Sequence, residues 1–202
     1  MSAAAAAVLS GRAASSDASR IGVLFMVGSA CFAVASIPGA TSGSPEAVGV
    51  VYFVGSLFFT TAAFEQMRTS PSNPREAVAA VIQFAGTLFF NWNTFGAMRE
   101  AFGGTDRDLL VWTPDAIGSI CFLVSSLLAA LAARAETHNA RRIAALNLLG
   151  SLAFGIAAIA AFTLPDTDQL LDASLASSGT LAGAICFFTA AYWLIPRHPK
   201  RR

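Results

Sequence analysis

The chain is poor in charge: Asp, Glu, Lys and Arg make up 12% of its 202 residues, against about a quarter in an ordinary soluble domain. A soluble core of this length does not need that imbalance. Formal net charge is +1, and no run of basic residues is interleaved with stacking aromatics, so nucleic acid is excluded as a partner. Histidine occurs twice, at His138 and His198, both outside the hydrophobic stretches. No pair of imidazoles can therefore ligate a haem within a membrane, and no intramembrane Ser-His arrangement exists. The single lysine, Lys200, lies near the C-terminal end, away from any site for a buried Schiff base. No phosphate loop, dinucleotide fingerprint or zinc-protease helix occurs. The expectation is a non-enzyme with no catalytic residue, no cofactor and no bound metal. The three cysteines, Cys31, Cys121 and Cys186, lie inside hydrophobic segments without C-x-x-C spacing, and they read as small apolar packing residues.

Apolar residues fill what charge leaves open. They make up 55% of the chain and give a mean hydropathy of +0.60. A spanning helix needs about 20 mostly apolar residues, and six stretches qualify. The expected fold is an all-α integral membrane bundle of six transmembrane helices occupying residues 20–196. A disordered cytoplasmic tail (1–19) precedes it and a basic cytoplasmic tail (197–202) follows. Helix one covers about 20–37 and stops at Pro38 and Gly39; helix two covers 45–68 behind Ser44 as N-cap. Helix three opens on Asn73, Pro74 and Glu76 and ends near residue 98, the order of a cap, a first-position proline and a first-turn acid. Helix four opens in the same way on Thr113, Pro114 and Asp115 and reaches 134. Helices five and six cover about 139–164 and 173–195.

Cytoplasmic loops retain positive charge during insertion. With the N-terminus inside, the cytoplasmic segments hold eleven Arg or Lys residues and the opposite loops two, Arg99 and Arg107. Asp166, Asp168 and Asp172 lean the other way. Both termini are thus expected in the cytoplasm, with the basic tail against anionic lipid. The use of twelve Arg to one Lys, beside abundant Ala, suits a GC-rich bacterial genome.

Each segment carries a glycine, usually followed by a hydroxyl residue, with phenylalanine four positions after the glycine. The glycines are Gly28, Gly55, Gly86, Gly118, Gly150 and Gly183, and the phenylalanines Phe32, Phe59, Phe90, Phe122, Phe154 and Phe187. Residues four apart share a helix face, so each glycine offers a flat patch for a neighbouring backbone. The hydroxyl can bond its own preceding turn. The internal G-S-x-x-F repeat admits two pairings: a repeated hairpin, or a three-plus-three duplication of inverted topology. These hairpins, with the stretches 53–59, 83–94 and 112–126, resemble actinobacterial multi-pass membrane proteins related to the YrhK-like family. The resemblance implies a bacterial membrane location and carries over no catalytic or binding residue.

Intramembrane charge often marks an ion path, and here it is scarce. Glu65 has Arg68 three residues on, a surface ion pair. Asp115 sits in the first turn of helix four, where the helix dipole favours a carboxylate; it is also a candidate entrance group. On helix three, Glu76, Gln83, Thr87, Asn91 and Thr94 fall within about 80° at 100° per residue, a polar stripe. Asp115 and Ser119 continue it on helix four, and Asn147 and Ser151 sit one turn apart on helix five. Trp92 points away and reads as a lipid-facing anchor. The stripe either bonds across helix interfaces or lines a narrow wet path. The expectation is a structural or partner-binding role in the bacterial cytoplasmic membrane, in a homo-oligomer or with another membrane partner. The alternative is a small transporter or channel for a polar or ionic solute, using the stripe.

Overall fold

A computed structural model of the protein describes residues 3–40, 44–69, 73–101, 108–164, 166–167 and 169–196. The described chain is all-helical, apart from one isolated antiparallel bridge between Thr163 and Leu170. The helices are α1 (Ala3–Ser36), α2 (Pro45–Arg68), α3 (Pro74–Ala101), α4 (Thr113–Ala132), α5 (His138–Ala160) and α6 (Ala173–Leu194). Each packs on its neighbours in sequence and α1 also packs on α6, so the six close into a ring.

Local chemistry accounts for most of the ends. The Ser44 hydroxyl accepts from Ala47 N at 3.4 Å, capping α2 behind Pro45. Asp172 Oδ1 accepts from Leu175 N at 2.9 Å and caps α6. Thr137, in a segment expected to be a loop, accepts from Ala140 N and starts α5 at His138.

Three expectations about boundaries are corrected. The expected disordered segment 1–19 is helical backbone from Ala3, in keeping with the high helix propensity of its alanine run. Thr113 is the first residue of α4 rather than its N-cap, which is Trp112, because a π-turn (Asp108–Trp112) runs straight into the helix. Pro114 has no N–H to give to the preceding turn, and wide turns of this kind accommodate such a break. α5 stops at Ala160 rather than near 164: the next residues leave the helix to pair, with Leu171 N donating to Phe162 O and Leu164 N to Gln169 O. Pro165 also biases Leu164 away from helical angles. Of the six expected spans, five helical segments among the described residues are both long and apolar enough to cross a membrane: Ser15–Ser36, Pro45–Arg68, Leu110–Ala135, His138–Ala160 and Ala173–Leu194. α3, with 28 residues, has the length, but Gln83, Asn91, Asn93 and their neighbours make it too polar. Arg107, Asp168 and residues 197–202, which enter the charge argument, lie outside the described residues.

The distribution of side chains suits an apolar surrounding. Branched aliphatics point outward, among them Ile159 (66% exposed), Ile120 (62%) and Leu149 (56%), and Trp92 is 56% exposed with them. Alanine, serine and phenylalanine fill the interior. In water so wide an apolar exterior marks an interaction surface; around a closed helical ring it fits lipid.

The glycines set how closely the helices approach. A Cβ on Gly28 would lie 2.7 Å from the Phe59 ring and 3.0 Å from Gly55 O; one on Gly55 would meet Phe32 and Gly28 O. Gly86 and Gly118 face each other in the same way across α3 and α4, exchanging Phe122 and Phe90. Gly150 and Gly183 do so across α5 and α6, where a Cβ on Gly183 would run into Phe154. The close contacts of these six glycines thus fall within α1–α2, α3–α4 and α5–α6, while Gly22 approaches Ala191 O of α6 and Gly49 the Met98 backbone of α3 at two other interfaces. The six phenylalanines meet on the ring axis: Phe90 and Phe122 at 4.8 Å between centroids, Phe32 and Phe59 at 5.5 Å, Phe154 and Phe187 at 5.5 Å. Contacts from Phe59 to Phe122 and Phe187, and from Phe154 to Phe32 and Phe90, tie the three pairs into one plug.

Candidate functional site: two cavities and an aromatic plug

Because successive helices are antiparallel, a phenylalanine four residues past its glycine lies on alternate sides of the glycine layer. Phe32, Phe90 and Phe154, from the odd-numbered helices, floor a cavity of about 520 Å³ at the end carrying the α1–α2, α3–α4 and α5–α6 connections, here the tip. Phe59, Phe122 and Phe187, from the even-numbered helices, bound a cavity of about 280 Å³ at the opposite end, the base. Two stacked aromatic triads therefore lie between two cavities.

The same offset from the glycine supplies the walls at both ends. Three residues before each glycine, the even-numbered helices place Tyr52, Asp115 and Thr180 in the tip cavity. The odd-numbered helices place Phe25, Gln83 and Asn147 in the base cavity. One helical turn further out, Gly49, Trp112 and Ser177 line the tip at equivalent positions.

Asp115, half-buried at the tip, has no hydrogen bond or ion pair among the described residues. Its surroundings are well fixed. Trp112 donates through Nε1 to Ala158 O at 3.0 Å and packs edge-on against Phe162. Asn93 donates to Val111 O at 2.8 Å, and the Tyr52 hydroxyl shares a 2.9 Å hydrogen bond with Ser36. Thr163 is 4% exposed and its hydroxyl has no partner.

The expected polar stripe is divided by the fold. Thr87 is fully buried and donates to Phe84 O in its own helix. Thr94 donates to Phe90 O and to the Ser56 hydroxyl across the α2–α3 interface, and its flank reaches the tip cavity. Asn91 Oδ1 accepts from Thr60 at 3.0 Å. Gln83, Glu76 and Asn147 line the base cavity, whereas Asp115 lines the tip. Ser119 is buried with its hydroxyl unpartnered, as is Ser29. Of the hydroxyls beside the glycines, Ser56, Thr87 and Ser151 bond a preceding turn as expected, while Ser29 and Ser119 do not. Ser151 also shares a 2.6 Å bond with Ser126. Glu65 pairs with Arg68 at 3.5 Å, but its closer partner is Arg20 of α1 at 2.7 Å.

Reading single helices missed Tyr52, Trp112, Thr163 and Thr180. A usable signal was present for Tyr52 and Thr180: aligning the six segments on their glycines puts both in register with Asp115. Thr163 owes its place to the bridge after α5, the one isolated bridge among the described residues. No family model matches the chain, and no curated protein or solved structure matches it either.

Proposed function

We propose that this chain is a non-enzymatic protein of the bacterial cytoplasmic membrane that passes a small polar or ionic solute between the tip and base cavities. The observation that carries the reading is the pair of cavities at opposite ends of one helical ring, with only the aromatic double layer between them. A purely structural bundle has no need of polar-edged cavities on its axis. Packing accounts for Thr87, Asn91 and Thr94, each of which hydrogen-bonds to protein.

In this reading α3 is the sixth crossing. Its polar side chains satisfy one another or face a cavity, so they need not meet lipid unpaired. The eleven-to-two distribution of Arg and Lys puts the base and both termini in the cytoplasm and the tip outside. The ring is read as three copies of one hairpin: the contacts of the six repeat glycines pair α1 with α2, α3 with α4 and α5 with α6, whereas a three-plus-three duplication would map the α1–α2 contact onto α4 and α5. Kinship with YrhK-like proteins belongs to this proposal and does not bear on the choice of solute.

Two measurements test it. In a variant with the native cysteines replaced by alanine, an impermeant thiol reagent outside intact cells should label Thr180→Cys and leave Asn147→Cys unlabelled. Inverted vesicles should give the opposite pattern. Reversal of both patterns would overturn the orientation. Proteoliposomes should also take up at least one of a set of small polar solutes that includes a cation, a neutral molecule and an anion. Failure to take up any of them returns the chain to a structural or partner-binding role.

A further inference from the structure

We propose that the tip cavity binds a small organic ammonium cation, with the Asp115 carboxylate as its counter-ion and the aromatic floor and Trp112 as its apolar complement. The inference rests on the transport reading for its purpose, but binding can be measured without transport.

The sign of the ligand follows from the lining. Among the described residues, no Arg, Lys or His lines either cavity. The tip has Asp115, and the base has Glu76 and Glu136. Among the described lining residues an anion would meet only like charge at either end, and a carboxylate without a cationic partner in an apolar bundle is costly to keep. Asp115 has no such partner among the described residues, so a bound cation would supply it.

The class of cation follows from size and wall chemistry. A hard metal ion such as calcium takes six to eight oxygen ligands, and among the described residues no three His, Cys, Asp or Glu side chains gather to hold a metal. One carboxylate among phenylalanines and a tryptophan is a poor cage for a bare ion. It suits a charged nitrogen attached to an apolar body, since aromatic faces attract such cations as well as their hydrocarbon. A volume of about 520 Å³ falls in the range of small-molecule sites. A second polar residue borders the same space: Thr163, 4% exposed, has a buried hydroxyl with no partner among the described residues, a polar group held beside the cavity wall. Tyr52 and Thr180, in register with Asp115 on the two other even-numbered helices, complete a polar ring above the aromatic floor.

The test uses the full chain purified in detergent and titration calorimetry with three probes: benzyltrimethylammonium, 2-phenylethanol and phenylacetate, each corrected against empty micelles. The cation should bind at least about ten-fold more tightly than the neutral or anionic probe. Asp115→Asn, which keeps the shape and removes the charge, should abolish that preference. Equal affinity for the three probes, or a preference that survives Asp115→Asn, overturns the proposal. Thr180→Phe, which leaves the carboxylate and fills the cavity, should also lose the cation; retained binding there counts equally against it. Proteoliposomes that take up a neutral solute while the purified protein shows no cation preference would sink this inference alone. Cation binding without uptake of any solute would sink the transport reading alone.

Discussion

The tip and base cavities are built by one geometry and filled by different residues. Three positions before the glycine, the tip receives a phenol, a carboxylate and a hydroxyl, from Tyr52, Asp115 and Thr180; the base receives a phenyl ring and two amides, from Phe25, Gln83 and Asn147. The tip is the larger, about 520 Å³ against about 280 Å³. Phe25 accounts for part of this, because its ring packs on Phe59 at 5.6 Å and occupies space that a smaller residue would leave open. Backbone placement thus fixes where a cavity forms, and a single offset in the sequence contributes to its size and polarity.

The largest expected effect comes from removing what keeps the two cavities apart. Phe122 contacts Phe59, Phe90 and Phe187, so it touches both triads. Phe122→Ala should cost about 3 kcal/mol of stability, the lower end for losing a buried phenyl, read as detergent unfolding. In the same variant, Gln83→Cys should become reactive to a water-soluble thiol reagent added on the tip side. Unchanged stability, or a position 83 that stays closed from that side, would show that the aromatic layers are not the barrier.

Next come the glycines, which position both cavities at once. Gly183→Leu forces a branched side chain against Phe154 and the Gly150 carbonyl, an overpacking that costs about 1 to 3 kcal/mol. Trp92→Leu, on the exposed face, should change stability by less than about 0.5 kcal/mol. Comparable melting temperatures for the two variants would refute the account of the ring as three glycine-closed hairpins.

Much of this arrangement could be read from the residues, and the limits of that reading are physical. Caps such as Ser44, and the glycines as points of close approach, depend on local chemistry that the sequence displays. The end of α5 depended on Phe162 and Leu164 finding partners across a loop, which a hydropathy profile does not show. The stripe on α3 was visible as a face at 100° per residue, but periodicity does not reveal what lies opposite. Thr60 and Ser56 on α2 turn its upper part into packing, while the open base leaves Gln83 facing a cavity. Asp115 looked like a helix-dipole acid because Tyr52, the aromatic floor and Thr163 come from other helices and a loop.

The smallest expected effect separates two amides on the same face of α3, Asn91 and Gln83. Asn91 accepts a hydrogen bond from Thr60 at 3.0 Å. Replacing it with leucine strands one donor only partly, because the Thr60 hydroxyl also reaches Ser56 O at 3.0 Å. Interhelical bonds in membrane proteins average about 0.6 kcal/mol, with a maximum of about 1.7, so Asn91→Leu should lose stability within that range. Gln83 makes no hydrogen bond among the described residues and borders the base cavity. Gln83→Leu therefore leaves no protein partner unpaired, and its added apolar surface meets Phe122 and the neighbouring alanines. Its stability should hold or rise slightly. The pair is measured by thermal unfolding of both variants in one detergent, with Thr87→Cys labelling as a check that the helix between them stays dry. Thr87 is fully buried and should resist small water-soluble thiol reagents in both backgrounds. A Gln83→Leu variant less stable than Asn91→Leu would reverse the assignment, placing the buried contact at the base and the wet face beside α2.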